Sequence, residues 1–374
     1  MNRPARTFLI AAAVAVLVSA AVVAPRVVGR GTLIPSGSSP APQAPLTPWE
    51  ADNPLRPLPA VPAGLDRSFA DLSQPPTPER VQLGRWLFFD KRLSGDGTLS
   101  CASCHRSDAG FSERTPTSIG IGGQLGVRKA PPILNAAFAI GPSFFWDGRA
   151  KTLEEQALGP ITNPIEMGNT HERMVATLAA AKGYAPYFRR AFGDERVTAD
   201  RVAAAIADYE RTRLSGNSPW DRWRAGDESA VSEQVKQGHK LFFFGKASCN
   251  ACHLGPTFAD GQFHNLGVGW DAAAGTFKDE GRYAVTKKDA DRGAFKTPTL
   301  RDVARRAPYM HDGSQRTLRE VVEFYNRGGE RNPHLSDKIK PLNLDPVEVD
   351  ALVAFMEALD GEGFADDGPT TFPR

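Results

Sequence analysis

Apolar positions along the chain fall into two unlike regimes. The first is an unbroken apolar run from Phe8 to Val23, entered through Arg3 and Arg6 and left through Arg26 and Arg30. Its length lies between the core of an export signal and a membrane-spanning helix. Val18-Ser19-Ala20 supplies a small-residue cleavage site. Residues 1–25 are therefore expected to be a cleaved signal peptide, with an uncleaved anchor tethering the body to a membrane as the alternative. Either way the body is expected to be exported, to the periplasm. Residues 26–64 follow without periodicity. Nine Pro lie between positions 31 and 64, with Ser and Gly among them, and the stretch reads as an extended, mostly disordered linker.

Helical periodicity begins after residue 65. Thr77 and Pro78 form a cap and a first-turn proline. The helix they start ends in Gly84-Arg85-Trp86-Leu87-Phe88-Phe89, and the same G-x-x-L-F-F pattern returns at Gly238-His239-Lys240-Leu241-Phe242-Phe243. A run capped by Thr198 places Val202, Ile206, Tyr209 and Leu214 on or near one face, and Gly216 to Pro219 end it. Near the C-terminus Asp345, Pro346 and Glu348 open a helix whose stripe is Val349, Leu352, Val353, Met356 and Leu359, and Gly361 closes it. Regions 110–145 and 255–300 are rich in Gly and Pro and read as long ordered loops. The repeat and the length predict two domains, 65–216 and 217–374.

Composition changes this little. A formal net charge of +2 over 374 residues gives no reason to expect nucleic acid as a partner. The four cysteines matter more, because two motifs use all of them: Cys101-Ala102-Ser103-Cys104-His105 and Cys249-Asn250-Ala251-Cys252-His253. C-x-x-C-H is the attachment signature of a c-type haem. Two thiols at that spacing reach the vinyl groups on one porphyrin edge, and the following His lies under the iron. A zinc ribbon would bring its pairs within roughly 15–20 residues of each other, and a thioredoxin-like pair needs no trailing His. A disulfide within C-x-x-C closes a small, strained loop. Two covalently bound c-type haems are expected, held by Cys101, Cys104 and His105 and by Cys249, Cys252 and His253. The fold class is thus mainly α: two cytochrome c-like haem domains with long ordered loops.

Further segments resemble the bacterial di-haem cytochrome c peroxidases. They are Leu87-Phe88-Phe89-Asp90 through Ser94-Gly95-Asp96-Gly97, and Phe144-Phe145-Trp146-Asp147-Gly148-Arg149-Ala150. Gln156, Pro160 and Glu166-Met167-Gly168 follow, then Lys296-Thr297-Pro298-Thr299-Leu300-Arg301 through Pro308-Tyr309-Met310-His311-Asp312-Gly313. The resemblance spans about residues 80–360 and implies a division of labour. The N-terminal haem on His105 is the peroxidatic one, where hydrogen peroxide generates high-valent iron. The C-terminal haem on His253 receives electrons from an exported donor, a small cytochrome c or a cupredoxin. Trp146 matches the tryptophan between the haems, and Glu166 and Gln156 match the distal pocket, with Pro160 in its wall. A carboxylate there can act as base and then as acid on the two peroxide oxygens, and an amide can orient them.

The chain departs from that pattern in three places, and from the similar MauG group in a fourth. Where many such peroxidases carry a His in a Ser-Ile-Gly-His-Gly segment, this one reads Ser118-Ile119-Gly120-Ile121-Gly122. The first iron is then expected to be open or water-bound at rest, with no reductive activation. Where the peroxidases place an axial Met for the second haem stands Tyr325, as in the similar MauG group, whose second haem has a His–Tyr ligand pair. A tyrosine on an amphipathic helix after Thr317 is the plain alternative, with Met310 as rival ligand. At the positions matching a calcium ion between the domains lie Lys129 and Arg306–Pro308, and a lysine cannot ligate calcium. The MauG group's surface Trp before the second motif is Ala247 here, with Trp220, Trp223 and Trp270 as other candidates. The function expected is a di-haem peroxidase. The alternatives are MauG-type oxidation of a partner protein substrate, and a non-catalytic di-haem electron carrier.

Overall fold

The computed structural model describes residues 47–141 and 143–374. The expected signal or anchor over 1–25 and the first part of the linker lie outside the described residues. Among the described residues no helix is long and apolar enough to cross a membrane.

The chain is mainly helical. In order come α1 (Pro78–Phe89), α2 (Cys101–Cys104), α3 (Leu153–Thr162), α4 (His171–Ala180), α5 (Ala185–Phe192) and α6 (Ala199–Arg211). Then follow α7 (Pro219–Arg224), α8 (Glu233–Phe243), α9 (Tyr283–Thr286), α10 (Leu318–Asn326) and α11 (Pro346–Glu357). Two short antiparallel pairs, β1 (Phe263–Asn265) with β4 (Ala294–Lys296) and β2 (Trp270–Asp271) with β3 (Thr276–Phe277), interrupt the loops. The helix starts follow local chemistry. Thr77 Oγ1 accepts from Arg80 N at 3.3 Å, Thr198 Oγ1 from Arg201 N at 3.2 Å, and Asp345 and Glu348 form a reciprocal capping box at 2.9 Å.

The repeated G-x-x-L-F-F has a tertiary reason. A Cβ on Gly84 would lie 1.8 Å from the carbonyl oxygen of Ala205 on α6, and one on Gly238 would lie 1.9 Å from that of Ala351 on α11. Each glycine is thus the point where one helix crosses another, and the Leu and Phe after it enter the core. Two apolar cores result. Leu83, Trp86, Phe88, Ile206 and Tyr209 belong to one, and Leu241, Phe242, Phe258, Leu352 and Phe355 to the other.

Three expectations need correction. The stretch from Thr47 to Gly64 is not a disordered spacer: Asn53 and Gln82 exchange side-chain-to-carbonyl hydrogen bonds at 2.9 and 2.8 Å, and Ala63 O accepts from Asn217 N at 2.8 Å. Prolines stiffen this segment, and its few polar side chains pin it to the body. Second, α6 ends at Arg211, and Leu214 joins Leu65 and Phe138 in a separate small cluster. Third, the last residues of the C-terminal half return to the first core, where Phe364 is buried, Arg85 binds Asp366 at 2.7 Å and Trp86 Nε1 donates to Thr371 O at 3.1 Å.

Arg301 ties these parts together. It is fully buried, pairs with Asp221 of α7, and donates to Pro256 O at 2.8 Å and to Gly64 O at 2.9 Å. Removing one member of a buried pair leaves the other charge uncompensated. Arg301→Ala is expected to destabilise the fold by about 3–5 kcal/mol, read from the denaturant midpoint; a loss within experimental scatter would contradict this account.

Candidate active site

The first C-x-x-C-H is a single helical turn, α2, closed by Ser100 N donating to Ser103 Oγ at 3.0 Å. His105 follows at its C-terminal end. Its Nδ1 meets the carbonyl oxygen of Phe111 at 3.1 Å, and Nδ1 of His253 meets that of Phe258 at 2.8 Å. A carbonyl accepts only from a protonated nitrogen, so in both histidines Nδ1 carries the proton and Nε2 is left with a lone pair for a metal. Both phenylalanines are buried and sit at φ +52°. The same device therefore serves both halves. The sequence signal for it is a Phe five or six residues beyond each motif.

Burial pushes all four thiols up: Cys104 and Cys249 to about 12, Cys101 and Cys252 in the same direction. Each motif thus holds two buried thiols beside its histidine. Cys252, Asp260 and His264 bring ligating atoms within 4.8 Å of one another, but Asp260 Oδ2 already bonds His264 Nε2 at 2.8 Å. A thioether at Cys252 would take its sulfur out of that group.

His105 opens onto a cavity of about 390 Å³, lined also by Cys101, Cys104, Trp146, Gln156 and Glu166. Helix α3 carries Gln156, and Pro160 stands four residues on within the same helix. Having no N–H, Pro160 cannot bond the Gln156 carbonyl, so the helix is weakened there and ends at Thr162. The chain then turns through Asn163-Pro164. Asn163 organises the turn: its carbonyl accepts from Glu166 N at 3.1 Å, and its side-chain amide donates to Glu166 Oε1 at 2.7 Å. Asn-Pro is a turn signal, and Asn163 is the residue that reading the motifs alone misses. Burial pushes the Glu166 carboxyl above its ordinary value, against the pull of Arg149 and Asn163.

Ile121 N donates to Glu166 O at 2.9 Å, and the Ile121 side chain lies against Gly168, whose missing Cβ would stand 2.1 Å from it. Ile121 is thus part of the support behind Glu166, while its neighbours Ile119 and Gly120 line the cavity.

Trp146 borders two spaces. Besides the main cavity it lines a smaller one of about 100 Å³ with Thr257, Lys296 and Pro298 from the C-terminal half. Its Nε1 donates to Lys129 O at 2.7 Å, its carbonyl accepts from Lys296 N at 2.8 Å, and its ring is edge-on to His311 at 6.4 Å. The buried Lys129 ammonium donates to the carbonyls of Glu113 and Thr115, and the buried Arg306 donates to Thr299 O at 2.6 Å. At the positions that would match the calcium site, both side chains are thus cationic donors, with no oxygen to offer. These residues do not fit calcium.

Tyr325 lies on α10, capped by Thr317 as expected. Burial, and then the thiols of Cys252 and Cys249, push its hydroxyl up. Among the described residues that hydroxyl makes no hydrogen bond. Met310 sits at φ +70° in the loop that carries His311. Two buried thiols beside a histidine with a free Nε2 occur at each half, and this donor set fits one haem per half.

Comparison with known proteins agrees. Residues 78–229 match the family model for di-haem cytochrome c peroxidase. The chain is 46% identical to a methylamine utilization protein MauG of Methylorubrum extorquens over 291 residues, 78% of this chain and 80% of that one. It is 37% identical to a cytochrome c551 peroxidase of Nitrosomonas europaea over 313 residues, 83% and 85% of the two chains. A crystal structure of a MauG-like protein associated with microbial copper homeostasis superposes with a TM-score of 0.72 at 33% identity, covering 84% of this chain and 96% of that one. The chain belongs to the di-haem cytochrome c peroxidase family, whose members carry two haems.

Proposed function

We propose that the chain reduces hydrogen peroxide to water at the His105 site, with electrons supplied singly by a reduced donor through the His253 site. One observation carries the reading: a single cavity sets Gln156 and Glu166 around a histidine whose Nε2 is free. Cys101 and Cys104 would attach the first haem, and Cys249 and Cys252 the second, as thioethers. His105 would ligate the first iron, and His253 with Tyr325 the second. When bound, the first haem supplies the iron at which the O–O bond breaks and the second stores an electron.

The side chains supply the proton chemistry. Glu166 takes a proton from one peroxide oxygen and returns it to the other, so that H2O2, two electrons and two protons become two waters. A carboxyl raised by burial is better placed to return the proton than an ordinary one. The Gln156 amide orients the peroxide. Trp146, lining both spaces, relays electrons between the halves. With Ile121 turned toward Gly168, nothing in that loop can cap the first iron, so the resting protein needs no reductive activation. An N-terminal export segment would place the body in the periplasm.

A specific observation favours a second reading, oxidation of a partner protein in the manner of MauG: the tyrosine at the second site. Ala247, where that group has a surface tryptophan, speaks against it. Stoichiometric peroxide added to the fully ferric holoprotein, with and without a reduced small cytochrome, separates them. Rapid oxidation of the cytochrome is expected. A long-lived spectral change that ignores it would favour partner oxidation, and no spectral change would leave only an electron carrier.

A further inference from the structure

Helix α7 holds two tryptophans, and neither is used by the reading above. Trp220 is part of the second core: its ring lies 5.1 Å from Phe258, edge-on, and stacks on Phe243 at 6.3 Å. Phe258 is the residue whose carbonyl holds His253. Trp223 lies one turn on and is partly exposed. Between them stands His239, 5.1 Å from the Trp223 ring and 6.3 Å from the Trp220 ring. Phe244, 82% exposed, flanks the same imidazole at 5.9 Å. A continuous file of rings therefore runs from the surface to the backbone that orients the second-site histidine.

The indole N–H groups distinguish this file from the other tryptophans. Oxidation of an indole makes its N–H strongly acidic, so a nearby base decides whether the oxidised ring keeps its proton. Trp223 Nε1 donates to the Glu228 carboxylate at 3.2 Å, and Trp220 Nε1 donates to His239 Nδ1 at 3.3 Å. Burial, then Arg224, disfavours the charged form of His239, which leaves that imidazole free to accept. Trp146 and Trp86 donate instead to peptide carbonyls, which cannot take a proton, and Trp49 faces the phenol of Tyr187. Among the described residues, only the two tryptophans of this file point their N–H at a base.

We propose that Trp223 is a surface oxidation site for small phenols, wired to the second haem through His239, Trp220 and Phe258. This rests on the peroxidase reading. In each one-electron step Trp223 gives its electron inward and its N–H proton to Glu228. A phenol resting on the Trp223–Phe244 rim then gives one electron and one proton, which restore the indole and leave a phenoxyl radical. Two phenols and one hydrogen peroxide thus yield two phenoxyl radicals and two waters. Lys236 holds Glu228 at 3.2 Å and Glu233 at 2.9 Å, and Arg224 is near enough to His239 to disfavour its charge.

The test uses the holoprotein with guaiacol as the phenol. Peroxide added without donor is expected to produce a deprotonated tryptophanyl radical by electron paramagnetic resonance, and Trp223→Phe is expected to lose it. Guaiacol turnover should fall about tenfold or more in Trp223→Phe, while the first peroxide-driven spectral change keeps its rate within about twofold. Glu228→Gln, a change at an exposed carboxylate that leaves the ring file intact, should slow guaiacol turnover by about threefold or more. Unchanged guaiacol turnover in both variants, with the peroxide step intact, overturns the route alone. Absence of any peroxide reaction in the wild-type holoprotein overturns the peroxidase reading and this route with it.

Discussion

Glu166→Gln is expected to slow the reaction of the ferric holoprotein with hydrogen peroxide by about 10²–10⁴-fold, the range a positioned acid–base group contributes. The glutamine keeps the size of the side chain and leaves an oxygen to accept from the Asn163 amide, so the 163–168 turn and its backbone bonds to Ile121 persist. What disappears is the ability to hold a proton between the two oxygens of the peroxide. Stopped-flow spectra at a series of peroxide concentrations measure this directly. A slope unchanged from wild type would remove Glu166 from the chemistry and leave it a cavity-wall residue.

The same carboxyl should set the acid limb of the rate. Burial raises it, so the base form is lost at a higher pH than an ordinary glutamate would show. The wild-type rate should therefore fall as pH drops through that raised value, and Glu166→Gln should abolish this limb while lowering the plateau. Asn163→Ala is expected to move the limb further up, because it removes a hydrogen bond that favours the ionised form. A limb that stays in place in Glu166→Gln would assign it to another group.

How far this arrangement could be read from the chain alone depends on how local each cause is. The starts of α1, α6 and α11 were legible because a cap acts within four residues: Thr77, Thr198 and Asp345 do in the fold what their spacing says. The recurrence of Gly84 and Gly238 was visible as a repeat, but its reason, a carbonyl of another helix at the missing Cβ, is tertiary. Residues 47–64 read as a spacer because proline content is a local statistic, whereas their order comes from partners such as Gln82 and Asn217 far along the chain. The two C-x-x-C-H motifs, Trp146, Gln156 and Glu166 stand out in the chain as residue types in order, and one cavity collects the first motif with those three. The carbonyls of Phe111 and Phe258 do not stand out, since a backbone acceptor has no side-chain signature.

Tyr325→Phe should change the second site more than any other single substitution outside the C-x-x-C-H motifs. The phenylalanine keeps the ring, its edge contact with Phe324 at 6.0 Å and the packing of α10, and removes only the oxygen. Burial and the neighbouring thiols disfavour a free phenolate there, so the group stays a neutral phenol unless a cation at the site takes the charge. If it ligates the second iron, an anionic oxygen is holding the ferric state down in potential. Its loss should then raise the potential of that haem by a sizeable fraction of the roughly 0.8 V that axial ligands span. Potentiometric titration with visible and electron paramagnetic resonance spectra follows both haems at once, and the first haem serves as the internal control because Tyr325 does not line its cavity. A second haem with unaltered spectrum and potential would return Tyr325 to a helix-packing role and reopen the site to Met310. An upward shift confined to that haem would make the halves unequal in the sense the side chains suggest: open above His105, where Glu166 handles protons, and closed above His253, where electrons wait.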